Sequence, residues 1–235
     1  MAFALEWDQA GHRLYQTGDK NMVLYVFNST AKAIEGHTTN YYGGVAWNGI
    51  TAITESPSGA EPTDLWADDT KYATMRSAEQ FGGTIEAYTY PVEWEQCDGS
   101  ITTNGVTIGQ QGPKAYGHAY ITTVGNDTEL NDHGEKLHLV YNATANPSER
   151  SYATINDSPE AITFSWEFTT TPIDVDDAGT YKKTSLLTID TTRLDETGKT
   201  KYEDFKKLVF GTKEDEEVTV EPHLPLPADV LAFFA

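Results

Sequence analysis

The sequence predicts an all-β or α+β fold: an antiparallel β-sandwich or barrel flanked by one main helix, with an extended loop and a C-terminal arm. Three observations carry this. Threonine (32) and tyrosine (13), both strand-favouring, are abundant. Several stretches alternate apolar and polar residues with period two, the mark of half-buried antiparallel strands. Turn-forming residues punctuate those stretches. The 235 residues suit one large domain or two small ones, and no internal repeat divides them.

Strand-like runs begin near 12–17 and 22–27. After Gly43-Gly44, residues Val45, Trp47, Thr51 and Ile53 share one face. Another run lies near 84–90. Tyr116, His118, Tyr120, Thr122 and Val124 line one face of the next, with Ala115, Gly117 and Ala119 opposite. Leu137, Leu139 and Tyr141 then alternate with His138, Val140 and Asn142, and Ile162, Phe164, Trp166 and Phe168 with Thr163, Ser165 and Glu167. A last run covers 184–191. Turns are expected at Gly82-Gly83, Asn104-Gly105, Gly125-Asn126-Asp127 and Asp177-Ala178-Gly179. Asn104-Gly105 suits a type I′ turn, which makes 101–108 a small hairpin.

Two helices are expected. Over Lys201–Phe210, Thr200 and Glu203 have capping-box spacing, and Tyr202, Phe205, Leu208 and Val209 form an apolar packing stripe. Lys206 and Lys207 suit its C-terminal dipole, and Gly211 ends it. A shorter helix, Pro91–Cys97, has proline at its first position. Residues 54–64 read as a long exposed loop, within an exposed segment of about 54–72, and 212–221 as a solvated acidic connector. Residues 1–221 thus form one domain and 222–235 an arm. The arm is stiffened by prolines, and its Leu224, Leu226, Val230, Leu231, Phe233 and Phe234 are too apolar to remain in water, so it docks either on its own domain or on a neighbouring subunit. Leu65, Trp66 and Tyr72 in the exposed segment, with Leu231, Phe233 and Phe234 in the arm, are expected to make contacts between subunits rather than within one.

Thirty-six acidic residues against 16 basic ones give a net charge of −20, spread along the chain. Such a surface does not hold nucleic acid by neutralising phosphates. The start of the sequence lacks the basic and apolar regions of a signal peptide, and no apolar run is long enough for a membrane helix. With one cysteine, Cys97, there is no internal disulfide, and no zinc-type cluster is present. Nucleophile-elbow, phosphate-loop and dinucleotide fingerprints are absent. The calcium-like start Asp174, Asp176, Gly179 reaches Ser185 where a glutamate is needed. Glu93 and Glu95 flank Trp94, but two residues apart on a short helix they diverge. No catalytic, metal or cofactor site is expected.

The stretches Tyr42-Gly-Gly-Val-Ala-Trp-Asn-Gly-Ile-Thr51, Arg76-Ser-Ala-Glu-Gln-Phe-Gly-Gly-Thr-Ile-Glu-Ala-Tyr-Thr-Tyr-Pro91 and Glu95-Gln-Cys-Asp-Gly99 resemble the major tail (tail-tube) proteins of phages with long non-contractile tails that infect Gram-positive bacteria. Gly105-Val-Thr-Ile-Gly-Gln-Gln111, His133-Gly-Glu-Lys-Leu-His-Leu-Val-Tyr141, Asn156-Asp-Ser-Pro-Glu-Ala-Ile-Thr-Phe-Ser-Trp-Glu167 and Leu226-Pro-Ala-Asp-Val-Leu-Ala-Phe233 continue the likeness. It runs from about residue 10 to residue 233.

The resemblance implies a virion structural protein, made in the bacterial cytoplasm, with no enzyme activity and no cofactor. It implies rings, commonly hexameric, stacked into a hollow tube through which DNA passes into the host without specific binding. The implied partners are further copies of the chain and the tape-measure, tail-terminator and tail-tip proteins of the same phage. A different class of function, a carbohydrate-binding β-sandwich module, is suggested by Trp47, Trp66, Trp94 and the tyrosines as sugar-stacking platforms.

Overall fold

The computed structural model describes residues 7–27, 43–59, 61–152, 154, 161–176, 179–214 and 217–235. Asp177 and Ala178 of one expected turn, Asp215 and Glu216 of the expected connector, and parts of the resembling stretches at 42 and 156–160 lie outside them.

The strands are β1 (Tyr15–Val26), β2 (Val45–Ala46), β3 (Ile50–Glu55), β4 (Ser58–Gly59), β5 (Pro62–Ala67), β6 (Thr70–Arg76), β7 (Glu79–Gln80) and β8 (Gly82–Ala87). There follow β9 (Ile101–Thr103), β10 (Val106–Ile108), β11 (Tyr116–Asn126), β12 (Leu130–Ala145), β13 (Phe164–Thr170) and β14 (Leu186–Asp190). Helix α1 (Glu196–Phe210), β15 (Thr212–Glu214), β16 (Glu217–Val220) and helix α2 (Pro227–Phe234) complete the chain.

Eight strands form one antiparallel sheet in the order β2-β1-β11-β12-β13-β8-β3, with β14 also paired to β12. It curls on itself without closing into a barrel and carries the helices on one face, the β-rich α+β class that was expected. The connection from β2 to β3 explains its curl. These strands lie on opposite edges of the sheet, yet only Trp47, Asn48 and Gly49 separate them. A link that short reaches about 14 Å at most, so the two edges must approach one another. Trp47 N–H still donates to the Met22 carbonyl on the β1 side, and Gly49 already accepts from Tyr88 on the β8 side.

The curl creates two cores, one on each face. Inside it, Met22, Leu24, Trp47, Ile85, Trp94, Tyr116, Tyr120, Val140, Trp166 and Phe168 are buried together. Trp94 packs against Trp47 at 4.6 Å, Tyr116 at 4.9 Å and Trp166 at 5.4 Å between ring centroids, in tilted or edge-on geometries that suit aromatic quadrupoles. Outside it, Val23, Tyr25, Ala119, Ile121, Leu137, Leu139 and Tyr141 meet the helices. Strand β12 serves both cores, and a bulge adjusts its alternation. Between the pairs His118↔Val140 and Tyr116↔Ala143 its register slips by one residue, with Asn142 at φ 48°. Ala143 and Ala145 therefore join the inner core rather than following Tyr141 outward.

Several sequence expectations are corrected. Gly82-Gly83 is not a turn but the start of β8; a Cβ on Gly83 would sit 2.2 Å from the Thr54 carbonyl and 3.0 Å from the Phe168 ring, so glycine permits close strand approach. Helix α1 begins a turn earlier than expected. Its cap is Asp195, whose carboxylate accepts the Gly198 N–H at 2.7 Å, while Thr200 lies within the helix and donates to the Glu196 carbonyl. Pro91 caps a 3-10 turn, Val92–Gln96, rather than opening an α-helix. The acidic connector contains the antiparallel pair β15 and β16. Asn104-Gly105 does form its tight turn, at φ 49° and 80°, between β9 and β10.

Candidate assembly surface

The segment expected to be a loop is a ribbon. Beyond the β3–β8 pair, Ser56 N–H donates to Gly82 at 2.8 Å, β4 pairs with β7, and β5 pairs with β6 from Pro62↔Arg76 to Ala67↔Thr70. Asp68 and Asp69 turn the tip at φ 51° and 60°. Pro62 is tolerated because it opens its strand. Among the described residues from Ser56 to Gln80, all are exposed except Ala73, which is half-buried.

Alternation distributes the side chains over two faces. Leu65 and Met75 fall on one, since Leu65 pairs with Ala73 and Met75 with Thr63. Trp66 falls on the other with Asp64, Thr74 and Lys71, and a bulge between Leu65 and Trp66 places Tyr72 beside Lys71. Asp64 accepts from Thr74 at 2.8 Å and Lys71 at 2.7 Å; those two bonds, Lys71 first, hold its carboxyl below the usual range. Leu65 is 41% exposed, Trp66 69%, Tyr72 78% and Met75 60%. Water disfavours that much apolar surface on a two-stranded element, which is marginal alone. Sequence reading missed Met75, and also Val92, Ile101, Val106 and Ile108, which are exposed around the β9–β10 hairpin. The alternation about Asn104-Gly105 marks the hairpin but not that its apolar face lacks cover.

The arm behaves differently from the ribbon. Tyr141 Oη donates to the Pro225 carbonyl at 2.8 Å, and His223 N–H to the Leu208 carbonyl at 3.0 Å. Leu224, Pro227 and Val230 are buried. Phe233 and Phe234 lie 5.4 and 5.5 Å from the Phe205 ring. Much of the arm's apolar surface is thus taken up within its own chain, with Phe233 and Phe234 half-buried against α1, while Leu231 is 40% exposed. On α1 itself, Tyr202, Phe205 and Val209 are buried and Leu208 is half-buried against the same cluster.

The titratable groups favour structure over chemistry. The Cys97 thiol is buried and pushed up to about 12, so it remains protonated. His118 is fully buried between Tyr116 and Tyr120, and neither ring nitrogen has a hydrogen-bond partner among the described residues. Burial, with help from His138, lowers it to about 3, so the imidazole is neutral. A groove of about 550 Å³ holds Lys20, Lys199, Lys206, Glu135 and Glu203, but Lys206 pairs with Glu135 at 3.0 Å and Glu203 at 2.8 Å, Lys20 with Glu135 at 3.2 Å and Lys199 with Glu196 at 2.9 Å. Partial burial raises the Glu135 carboxyl, but bonds from Lys206, Tyr202 and Lys20 outweigh it and hold it low. These cations are already partnered. Among the described residues no group of three His, Cys, Asp or Glu is placed to hold a metal, and no helix is long and apolar enough to cross a membrane. Of the tryptophans suggested as sugar platforms, Trp47 and Trp94 are buried in the inner core.

No family model matches the chain, and no curated protein does. Among solved structures it is similar to a chain in the 6-fold symmetrised baseplate of the anti-feeding prophage, with 9% identity and TM-score 0.34, over 81% of this chain and 100% of that one. It is also similar to a chain in the sheath/tube terminator of an extracellular contractile injection system in its extended state, with 11% identity and TM-score 0.32, over 79% and 99%. A chain in the extended sheath-tube complex of such a system gives 15% identity and TM-score 0.30, over 80% and 95%. Superpositions this loose assign neither fold nor function.

Proposed function

We propose that this chain is a structural subunit of a phage-type tail tube, which self-associates into rings that stack around a DNA-conducting lumen. The observation that carries the reading is the β5–β6 ribbon. It presents Leu65, Trp66, Tyr72 and Met75 to solvent at the end of an otherwise well-packed sheet, so it has a use only when a neighbour covers it. The resemblance to tail-tube proteins supports further copies of the chain as that neighbour. A net charge of −20 suits a conduit that DNA must slide through without adhering. Cys97 and His118, both buried and held neutral, are packing residues in this reading.

Negative-stain microscopy of the purified chain tests it. Rings or tubes are the expected outcome. A chain that stays monomeric at high concentration and binds glycans instead would replace this reading with the carbohydrate-binding one.

A further inference from the structure

The ribbon from Ser56 to Gln80 leaves the sheet as strands paired with one another, and its two legs are held at the base. On the β8 leg, the Phe81 carbonyl accepts from both Thr170 N–H, at 3.2 Å, and Thr170 Oγ1, at 2.7 Å. On the β3 leg the hold comes from across the inside of the curl. Glu55, the last residue of β3, accepts a hydrogen bond from the Tyr120 hydroxyl of β11, and its carboxylate lies 3.5 Å from His138 Nδ1 of β12. Tyr120 and His138 are themselves fixed. Their rings stack at 4.6 Å with 4° between planes, His138 Nε2 meets Thr122 at 3.0 Å, and its Nδ1 meets Thr188 of β14 at 3.3 Å. Tyr120 is 3% exposed. Glu55 and Tyr120 are thus far apart in sheet order, β3 being an edge strand, and meet only because the sheet curls.

We infer that Glu55, Tyr120 and His138 form a clasp that fixes the ribbon's base and hence its direction, with Tyr120 and His138 as positioning residues. A carboxylate that is 36% exposed but takes a charge-assisted hydrogen bond from a buried phenol and lies against His138 is a stronger tether than a bond made wholly in water. The clasp lies immediately before the point where the chain leaves its core, so opening it frees the β3 leg without disturbing β11 and β12, which remain paired along their length. The inference concerns the chain alone and holds whatever covers the ribbon.

Amide hydrogen exchange on the full-length chain, dilute enough to sediment as a monomer, tests it. Tyr120→Phe removes the donor but keeps the ring stack; Glu55→Leu removes the acceptor; Glu55→Gln retains an acceptor oxygen. The Ser56 and Gln80 amides are expected to exchange about tenfold faster in Tyr120→Phe and Glu55→Leu, with Glu55→Gln close to wild type. The amides of Leu137 and Leu139 should be unchanged. Ribbon amides unaffected in both variants, acceleration of ribbon and sheet centre alike, or a Gln variant as fast as the Leu variant would each overturn the clasp. Should Glu55→Leu fail to fold, the Tyr120→Phe result decides alone.

Discussion

His118 shows how one residue sets a pH response. Its imidazole is sealed among aromatic rings and lowered to about 3 by burial and by His138, whereas an unfolded histidine titrates near 6.5. Between those values the unfolded chain carries a proton that the folded chain does not, so stability falls as pH falls through that window. The slope from this residue is about 1.4 kcal/mol per pH unit, absent above pH ~6.5. His118→Leu should remove it: between pH 6 and pH 4 the variant should lose ~2–3 kcal/mol less stability than the wild type, measured by denaturant midpoints at each pH. Equal losses in the two proteins would show that His118 accepts its proton within the fold. The paired carboxylates Glu135 and Asp190, both held low, act in a more acidic range and leave the comparison clear. Gly83 makes a steric counterpart. Alanine there places a methyl 2.2 Å from the Thr54 carbonyl, which only a backbone shift relieves. A cost on the order of 2 kcal/mol is expected from thermal unfolding, and a neutral result would mean that β3 and β8 are not so close.

At the level of elements, α1 and α2 act as one cover over the outer face of the sheet. Phe205 is the shared point, 1% exposed and in contact with both Phe233 and Phe234. Phe205→Ala should therefore cost ~3–5 kcal/mol and loosen both helices together. Loss of α1 protection while α2 stays docked would contradict the shared packing. The stripe Tyr202, Phe205, Leu208, Val209 was legible because a 3.6-residue period states which face is apolar. Asp195 was not, because Asp195 and Thr200 are both chemically sound caps and nothing local in the sequence ranks one above the other. The strand alternations at 116–124, 137–141 and 164–168 could be read for the same reason as the stripe. The bulge at Asn142 could not, since period two has no term for a register slip. The arm at 222–235 revealed its hydrophobicity but not its destination: apolar content says that a surface is covered, and the Tyr141–Pro225 bond, which says by what, joins residues distant in sequence. Residues 54–72 misled because proline, glycine and serine punctuate the ribbon between short pairings that only the register reveals.

For the whole molecule, the curl divides the labour. Two cores close on the chain's own side chains, while the β5–β6 ribbon and the β9–β10 hairpin leave Leu65, Trp66, Tyr72, Met75, Ile101, Val106 and Ile108 exposed. Chains of charge −20 repel one another, and the screening length falls from about 10 Å at 0.1 M salt to about 3 Å at 1 M. Self-association followed by light scattering should therefore rise with salt; a fall would mean that charge pairs rather than apolar contacts join the subunits. The ribbon itself allows a cleaner separation of folding from assembly. Glu55 pairs with Gly83 and Thr54 with Thr84, and Ser56 N–H reaches Gly82, so the two legs stand close enough for a short glycine-serine linker to replace residues 58–80. The described residues among those excised belong to neither core, so they contribute little to the chain's own stability, and the melting temperature should shift by no more than a few degrees. What disappears is Leu65, Trp66, Tyr72 and Met75, each able to add a few kcal/mol when buried against a neighbour. The shortened chain should thus fold, sediment as a monomer and form no tubes under the microscope. Tubes of normal length from this variant would place the contacts that join subunits elsewhere on the molecule, and a chain that no longer folds would make the ribbon part of the core.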